Sequence, residues 1–327
     1  MVGDIEMAAV SSSTGVCRVG LGLIWVGRQW PPNNPSWERP ADAQIDAQIR
    51  LGLSLLSSPE QQLMLDTASG YGESEQRVGA WLRGLGAELA PRCLVATKFG
   101  ETFDCATGET VVSHSATAAM SQLAASTEAL GRVDIFYSHI TSQLTEAQAE
   151  AVLADAELRA ALSAAKAEGR VGGLGTSCTF SAQLAAVYKR THIGIPVTPT
   201  LLNSEAIGFG GAGSFPGVVR TALAQGWLDD MDMVQLSART CVSEPELLAE
   251  LRAAGKLVVA NSPVRRILSA PEEAVDEDSV AAAIAELMSA CPDVACVLVG
   301  TGKPERLQHA ARCVFRGAPE GHGDQID

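Results

Sequence analysis

None of the eight cysteines in this 327-residue chain forms a CxxC pair. Cys17, Cys93, Cys105, Cys178, Cys241, Cys291, Cys296 and Cys313 build no ligand ladder, which argues against zinc or any other metal site. A chain this long needs no disulfide staples, so reduced thiols in a cytoplasmic compartment are expected. No run approaches the roughly 20 apolar residues of a membrane span. Residues 1–15, with Asp4 and Glu6 and no sustained apolar core, read as a flexible leader rather than a secretory or transit signal. Positive charge is scarce: 24 Lys and Arg face 38 Asp and Glu, for a net charge of −14. That balance argues against nucleic acid or an anionic membrane as partner. A dinucleotide-binding GxGxxG turn is missing too, because Trp25 stands where a third glycine would follow Gly20 and Gly22.

What is present supports a large core. Hydrophobic residues make up 46% of the chain, enough for one large α/β domain or two smaller ones and against disorder throughout. Short apolar strands alternate with helical patterns from Arg18 onward. Strands are expected at about 18–23, 63–67, 93–98, 133–139, 171–177, 231–236, 257–261 and 294–299. Helices are expected at about 41–56, 75–87, 115–130, 145–169 (in one or two pieces), 181–189, 244–254, 279–289 and 304–313. Eight strands alternating with eight helices is the count of a (β/α)8 TIM barrel, placed over 16–315. Residues 190–230 are too long for a simple connection and read as an insertion between strands five and six, with a helix near 216–225. Its run Gly208-Phe-Gly-Gly-Ala-Gly213 lacks the Lys-Ser/Thr of a phosphate loop and reads as a linker. Residues 316–327 read as a flexible tail.

The chain is organised around Asp66-Thr-Ala-Ser-Gly-Tyr71-Gly-Glu-Ser-Glu75, which joins strand two to a helix. Ser74 is expected to cap that helix, with Glu75 suiting its positive end. Taken alone, Asp66 could equally cap a turn and Tyr71 be a surface aromatic. Reactive groups of such barrels sit at the C-terminal ends of strands. Asp66 and Tyr71 after strand two, Lys98 after strand three and His139 after strand four all fall there.

These residues resemble the tetrad of the aldo-keto reductases, in order and in strand of origin. The supporting motifs are Asp66-Thr-Ala-x-x-Tyr71-Gly-x-Ser-Glu75, Ala96-Thr-Lys98, Val133-Asp-x-x-x-x-His139 and Gly169-Arg-Val-x-x-Leu-Gly-x-Ser177. The likeness runs from about Arg18 to His309. It implies hydride transfer from NADP(H) to a small-molecule aldehyde, ketone or sugar, or the reverse from an alcohol. A cationic Lys98 held by Asp66 would lower the Tyr71 pKa, so that Tyr71 acts as general acid or base, while His139 orients the carbonyl. For the cofactor, the resemblance implies Gly22 and Leu23 after strand one. It implies Ser177, Cys178 and Gln235 at the nicotinamide amide, although the family has Asn at position 178. Ser262, Pro263, Val264 and Arg265 fall on the pyrophosphate loop. Gly300, Thr301, Lys303 and Arg306 fall where phosphates would lie, the two cations favouring NADP(H) over NAD. Ala310 stands at the family's adenine-contacting Asn. Trp25 and Trp30 are candidate walls of a substrate pocket. The rival reading is a nucleotide-binding barrel without catalysis, acting as a regulatory or interaction protein.

Overall fold

The computed structural model describes residues 15–29, 38–141, 143–179, 215–261, 277–292 and 294–316. The leader up to residue 14, Trp30, helix 181–189, insertion residues 190–214 with the Gly208–Gly213 run, Ser262 to Arg265 and the tail from residue 317 lie outside them. Chain order begins β1 (Val19–Gly22), α1 (Ile24–Gly27), α2 (Asp42–Ser54), β2 (Leu63–Asp66), α3 (Ser74–Gly84), α4 (Gly86–Leu89) and β3 (Cys93–Phe99). A hairpin follows, β4 (Glu101–Phe103) and β5 (Thr110–Val112), then α5 (Ala116–Leu130), β6 (Ile135–Thr141), α6 (Glu146–Ala154) and α7 (Ala156–Ala167). The second half runs β7 (Gly173–Thr179), α8 (Phe215–Ala224), β8 (Met233–Ser237), α9 (Ala238–Ser243), α10 (Pro245–Ala253), β9 (Leu257–Asn261), α11 (Glu277–Ala290), β10 (Cys296–Val299) and α12 (Pro304–Arg316).

Eight strands close a barrel in the order β1-β10-β9-β8-β7-β6-β3-β2, every neighbouring pair parallel. Alternation along each strand divides the core in two. Met64, Leu94, Ile135, Tyr137, Met233 and Leu298 fill the inside. Their sequence neighbours, such as Leu65, Val95, Phe136 and Val234, face the helices in the larger outer cluster. Gly175 makes room for the Tyr137 ring, because a Cβ there would stand 2.5 Å from two ring carbons. The ring crosses β7 and its hydroxyl donates to Met233 Sδ at 3.3 Å.

Local chemistry explains the helix boundaries. Ser115 Oγ accepts from the Ala118 amide at the start of α5, and Gly131 ends that helix with φ 88°. The 145–169 stretch breaks into two helices because Asp155 caps the second, accepting from Glu157 and Leu158. Helix 215–224 appears where expected and packs against α6 and α10.

Three expectations need correction. Strands four and five run Ile135–Thr141 and Gly173–Thr179, later than read at both ends, so His139 and Ser177 sit inside strands rather than at their last positions. The β4–β5 hairpin was read as loop; it closes on the Asp104 carboxylate, which accepts from the Ala106 amide, and on Gly108 at φ 74°. Ser74 does not cap α3 but is its first residue, and its hydroxyl donates inward to Leu23 O at 3.0 Å.

Candidate active site

Asp66 ends β2, Lys98 is the penultimate residue of β3 and His139 lies near the end of β6, so all three reach the C-terminal mouth from inside the barrel. Tyr71 arrives from the β2–α3 loop, folded back by its amide donating to Ala68 O at 2.9 Å. Lys98 is 1% exposed. Its ammonium donates to Asp66 Oδ2 at 2.7 Å, Thr67 O at 2.9 Å and Tyr71 Oη at 3.2 Å, using all three protons. The Tyr71 and His139 rings meet edge to face, with centroids 6.0 Å apart. The four sequence-derived side chains therefore come together.

A second row supports them. Gln235 of β8 donates to the free oxygen of Asp66 at 3.0 Å, and Ser177 of β7 donates to Gln235 Oε1 at 2.5 Å. Asp66 is thus bonded on both oxygens. Gln235 keeps one N–H and one lone pair for a further partner. Behind the barrel wall, Thr97 donates to the buried Glu75 at 2.5 Å.

Burial dominates the electrostatics. It pushes the Tyr71 phenol up, the nearby Lys98 charge pulls it back and the Asp66 charge pushes it up again, leaving it above its ordinary value. The sequence reading expected Lys98 to win; in this buried site it does not. Burial also opposes the Lys98 charge, but Asp66 and Tyr71 outweigh it and hold the ammonium above its ordinary value. Burial drives His139 well below the ordinary imidazole value, and Lys98, His114 and Arg28 add to that shift.

The cofactor candidates divide. Gly22 and Gly300 lie backbone to backbone, and a Cβ on Gly22 would still clear Gly300 by 3.7 Å. Leu23 is wholly buried and its amide donates to Asp66 O. Thr301 accepts the Lys303 amide on its hydroxyl, and Lys303 and Arg306 are exposed at the start of α12. Cys178 is not brought to the Ser177–Gln235 pair. The strand period turns it outward, where it packs in the outer cluster with its thiol 3.5 Å from Thr176 Oγ1. Ala310 is likewise buried among core residues. Trp25 packs its six-membered ring against Gly302, so it faces the loop after β10.

The sequence reading missed Gln48, Arg28 and Glu101, and it took Asn261 only as the start of the pyrophosphate loop. Asn261 ends β9 on the inward register of Val259, with a buried Oδ1 that has no partner. Gln48 of α2 donates to Thr301 O at 2.7 Å and so fixes the loop before α12. Arg28 donates to Gly70 O at 2.8 Å and lies 3.8 Å over the Phe103 ring. Glu101, first residue of the hairpin, is buried with one oxygen bonded by the Thr141 hydroxyl and the other 3.9 Å from His139 Nδ1. Only Gln48, a polar residue on the apolar face of a helix, left a trace in the pattern. Among the described residues no three His, Cys, Asp or Glu side chains gather as a metal-ligand set, and no helix is long and apolar enough to cross a membrane.

Comparison with family profiles gives no match, and neither does comparison with curated proteins. Solved structures do match. An assigned aldo-keto reductase from Pseudomonas aeruginosa aligns at TM-score 0.61 and 20% identity, over 92% of this chain and 90% of its own. An aldo-keto reductase from Bacillus halodurans, solved in its holo form, aligns at TM-score 0.56 and 15% identity over 94% of each chain. A glycerol dehydrogenase from Gluconobacter oxydans aligns at TM-score 0.57 and 17% identity, over 91% of this chain and 86% of its own. The closed parallel barrel of this chain is the fold of the aldo-keto reductases.

Proposed function

We propose that this protein is an aldo-keto reductase that interconverts small aldehydes, ketones or sugars with alcohols using NADP(H). The observation that carries the reading is the Lys98 ammonium, buried at the mouth and bonded at once to Asp66 and Tyr71. No side chain donates hydride, so a bound nicotinamide would supply it. The backbone cradle of Gly22 and Gly300 suits a close-lying ligand, and Lys303 and Arg306 at the start of a 13-residue helix suit its phosphates. The partnerless Asn261 Oδ1 and the remaining N–H of Gln235 are acceptor and donor for a carboxamide, in place of the outward-turned Cys178.

In reduction, Tyr71 gives its phenolic proton to the carbonyl oxygen. Lys98 stabilises the phenolate left behind, and Asp66, bonded to both Lys98 and Gln235, fixes the ammonium in place. His139 donates to the carbonyl oxygen and orients it beside Tyr71. Because Tyr71 sits above the ordinary phenol value, it stays protonated through neutral pH, which suits it to giving a proton more than to taking one.

Quenching or enhancement of NADPH fluorescence on titration tests the cofactor reading. Turnover of an aldehyde panel with Tyr71→Phe alongside tests the chemistry. The variant should bind NADPH as the wild type does and lose about 10²–10⁴-fold in kcat. Undiminished turnover would remove Tyr71 from the proton step. NADPH binding without turnover of any carbonyl would favour a regulatory nucleotide-binding protein.

A further inference from the structure

Glu101 has no role in the proton step just described, yet it is the acidic side chain nearest His139. Both are 6% exposed. The Thr141 hydroxyl occupies Glu101 Oε1, which leaves Oε2 aimed at His139. His139 Nδ1 is buried with no hydrogen-bond partner, and Glu101 Oε2 lies 3.9 Å away, about 1 Å beyond hydrogen-bonding reach. An unmade bond at a buried ring nitrogen is costly, and contacts of this kind tighten when a site is loaded. Among the described residues, the rest of the surround leaves no other acid for that nitrogen. His114, ahead of α5, spends its Nε2 proton on His139 O at 3.0 Å, and its ring occupies the space a side chain on Gly100 would need. Lys98 and Arg28 are cations, and Asp66 is committed to Lys98 and Gln235. Tyr71 touches only the edge of the ring pair.

We propose that Glu101 is a positioning residue that holds one proton between its Oε2 and His139 Nδ1, and so keeps a proton on the other ring nitrogen, the one that faces the carbonyl. This rests on the reductase reading above. The proton count is what gives the pair its consequence. Written as a neutral acid donating to a neutral imidazole, Nε2 carries hydrogen. Written as a carboxylate facing an imidazolium, Nε2 still carries hydrogen. Only when the pair loses its shared proton does the carboxylate draw the last ring proton to Nδ1, leaving Nε2 a lone pair aimed at the carbonyl oxygen. Burial favours retention, since it raises the Glu101 carboxyl above its ordinary value against the pull of Thr141, Arg28 and Lys98. Loss of this proton gives carbonyl reduction an alkaline limb that belongs to the Glu101–His139 pair.

Glutamine tests this, because Glu101→Gln keeps an acceptor for Thr141 and places an N–H donor against Nδ1 that does not titrate. Glu101→Leu removes both. The leucine variant leaves Nδ1 unbonded and the ring free in tautomer and orientation. Its kcat should fall, by at most the roughly 10²-fold that one whole oxyanion donor contributes, with KM for the carbonyl changed much less. The glutamine variant should recover most of that loss, and its kcat should no longer fall on the alkaline limb seen in the wild type. An unchanged alkaline limb in Glu101→Gln would overturn the proposal. Nitrogen-15 spectra of the histidine rings, with His139 assigned by its absence in His139→Asn, give a readout that needs no turnover. They should show Nε2 protonated in the wild type at neutral pH, and a bare Nε2 there would also overturn it. If no carbonyl is reduced while Nε2 is protonated in the wild type and Glu101→Leu mixes the two ring tautomers, the reductase reading fails and the pairing stands.

Discussion

Each of the three protons on the Lys98 ammonium has a fixed acceptor, and of those three acceptors Asp66 alone carries a charge. Replacing Asp66 by Asn would leave a buried charge whose partner is gone. Asp66→Asn should therefore destabilise the fold by about 3–5 kcal/mol, the cost of breaking a buried pair from one side. Urea unfolding followed by circular dichroism measures it. A loss below about 1 kcal/mol would mean that Thr67 O and Tyr71 hold the ammonium without help. Legibility at this scale depended on contrast. Asp66, Lys98 and His139 stand out in sequence because each interrupts an apolar strand near its end. Glu101 and Asn261 do not, since an acid beside a glycine and an amide before Ser-Pro look like ordinary solvated turn residues. Their burial is a product of the hairpin and of the barrel closing, which no local pattern announces. Cys178 misled for a different reason: the resemblance placed it beside Ser177 at the amide, but β7 runs on through Thr179, and its alternation turns Cys178 to the opposite face from Ser177.

Helix α3 ties the loop that carries Tyr71 to the barrel wall through a buried carboxyl. Glu75 sits in its first turn, where an acid on an exposed helix start would favour the helix dipole, but here it points inward to the Thr97 hydroxyl. Burial raises its carboxyl above the ordinary value, against Thr97, Ser126 and Lys98. In the unfolded chain the same group ionises at the ordinary value, so the folded state binds more protons across the interval between the two. Stability from this group is whole below the unfolded value and is lost as pH rises through the folded one. Glu75→Gln keeps the acceptor for Thr97 and removes the ionisation. The variant should match the wild type at about pH 5 and gain on it at about pH 8 in thermal melts. A difference that shrinks with rising pH would show that Glu75 is held as a carboxylate. The elements themselves were largely legible, because helix periods and buried strands repeat cleanly. The β4–β5 hairpin was not, as its two three-residue strands are too short to show alternation.

The whole molecule carries a net charge of −14, which repels a phosphorylated dinucleotide at long range. On the NADP(H) reading proposed above, capture falls to local cations, and Lys303 and Arg306 stand exposed at the start of α12 with backbone N–H groups beside them. Lys303→Met should weaken NADPH binding about tenfold and NADH binding much less, the discrimination narrowing further as salt is added. Isothermal titration with both cofactors checks this. Equal losses for the two would place the 2′-phosphate elsewhere. The eightfold alternation that gives the barrel was visible in the chain from the start; how its loops meet across the mouth was not. The pairing of Trp25 with Gly302, or of Gln48 with Thr301, joins residues more than 250 positions apart.

One interior ring bears on the chemistry above it. Tyr137 lies in register with Gly175 and Met233, one layer beneath His139, Ser177 and Gln235, and it stoppers the barrel there. A packed apolar layer therefore lies between the far end and the phenol. On the reductase reading proposed above, the hydrogen that Tyr71 gives up in each turnover returns through the opening that admits substrate and releases product. Recharging and exchange then share one doorway and take turns at it.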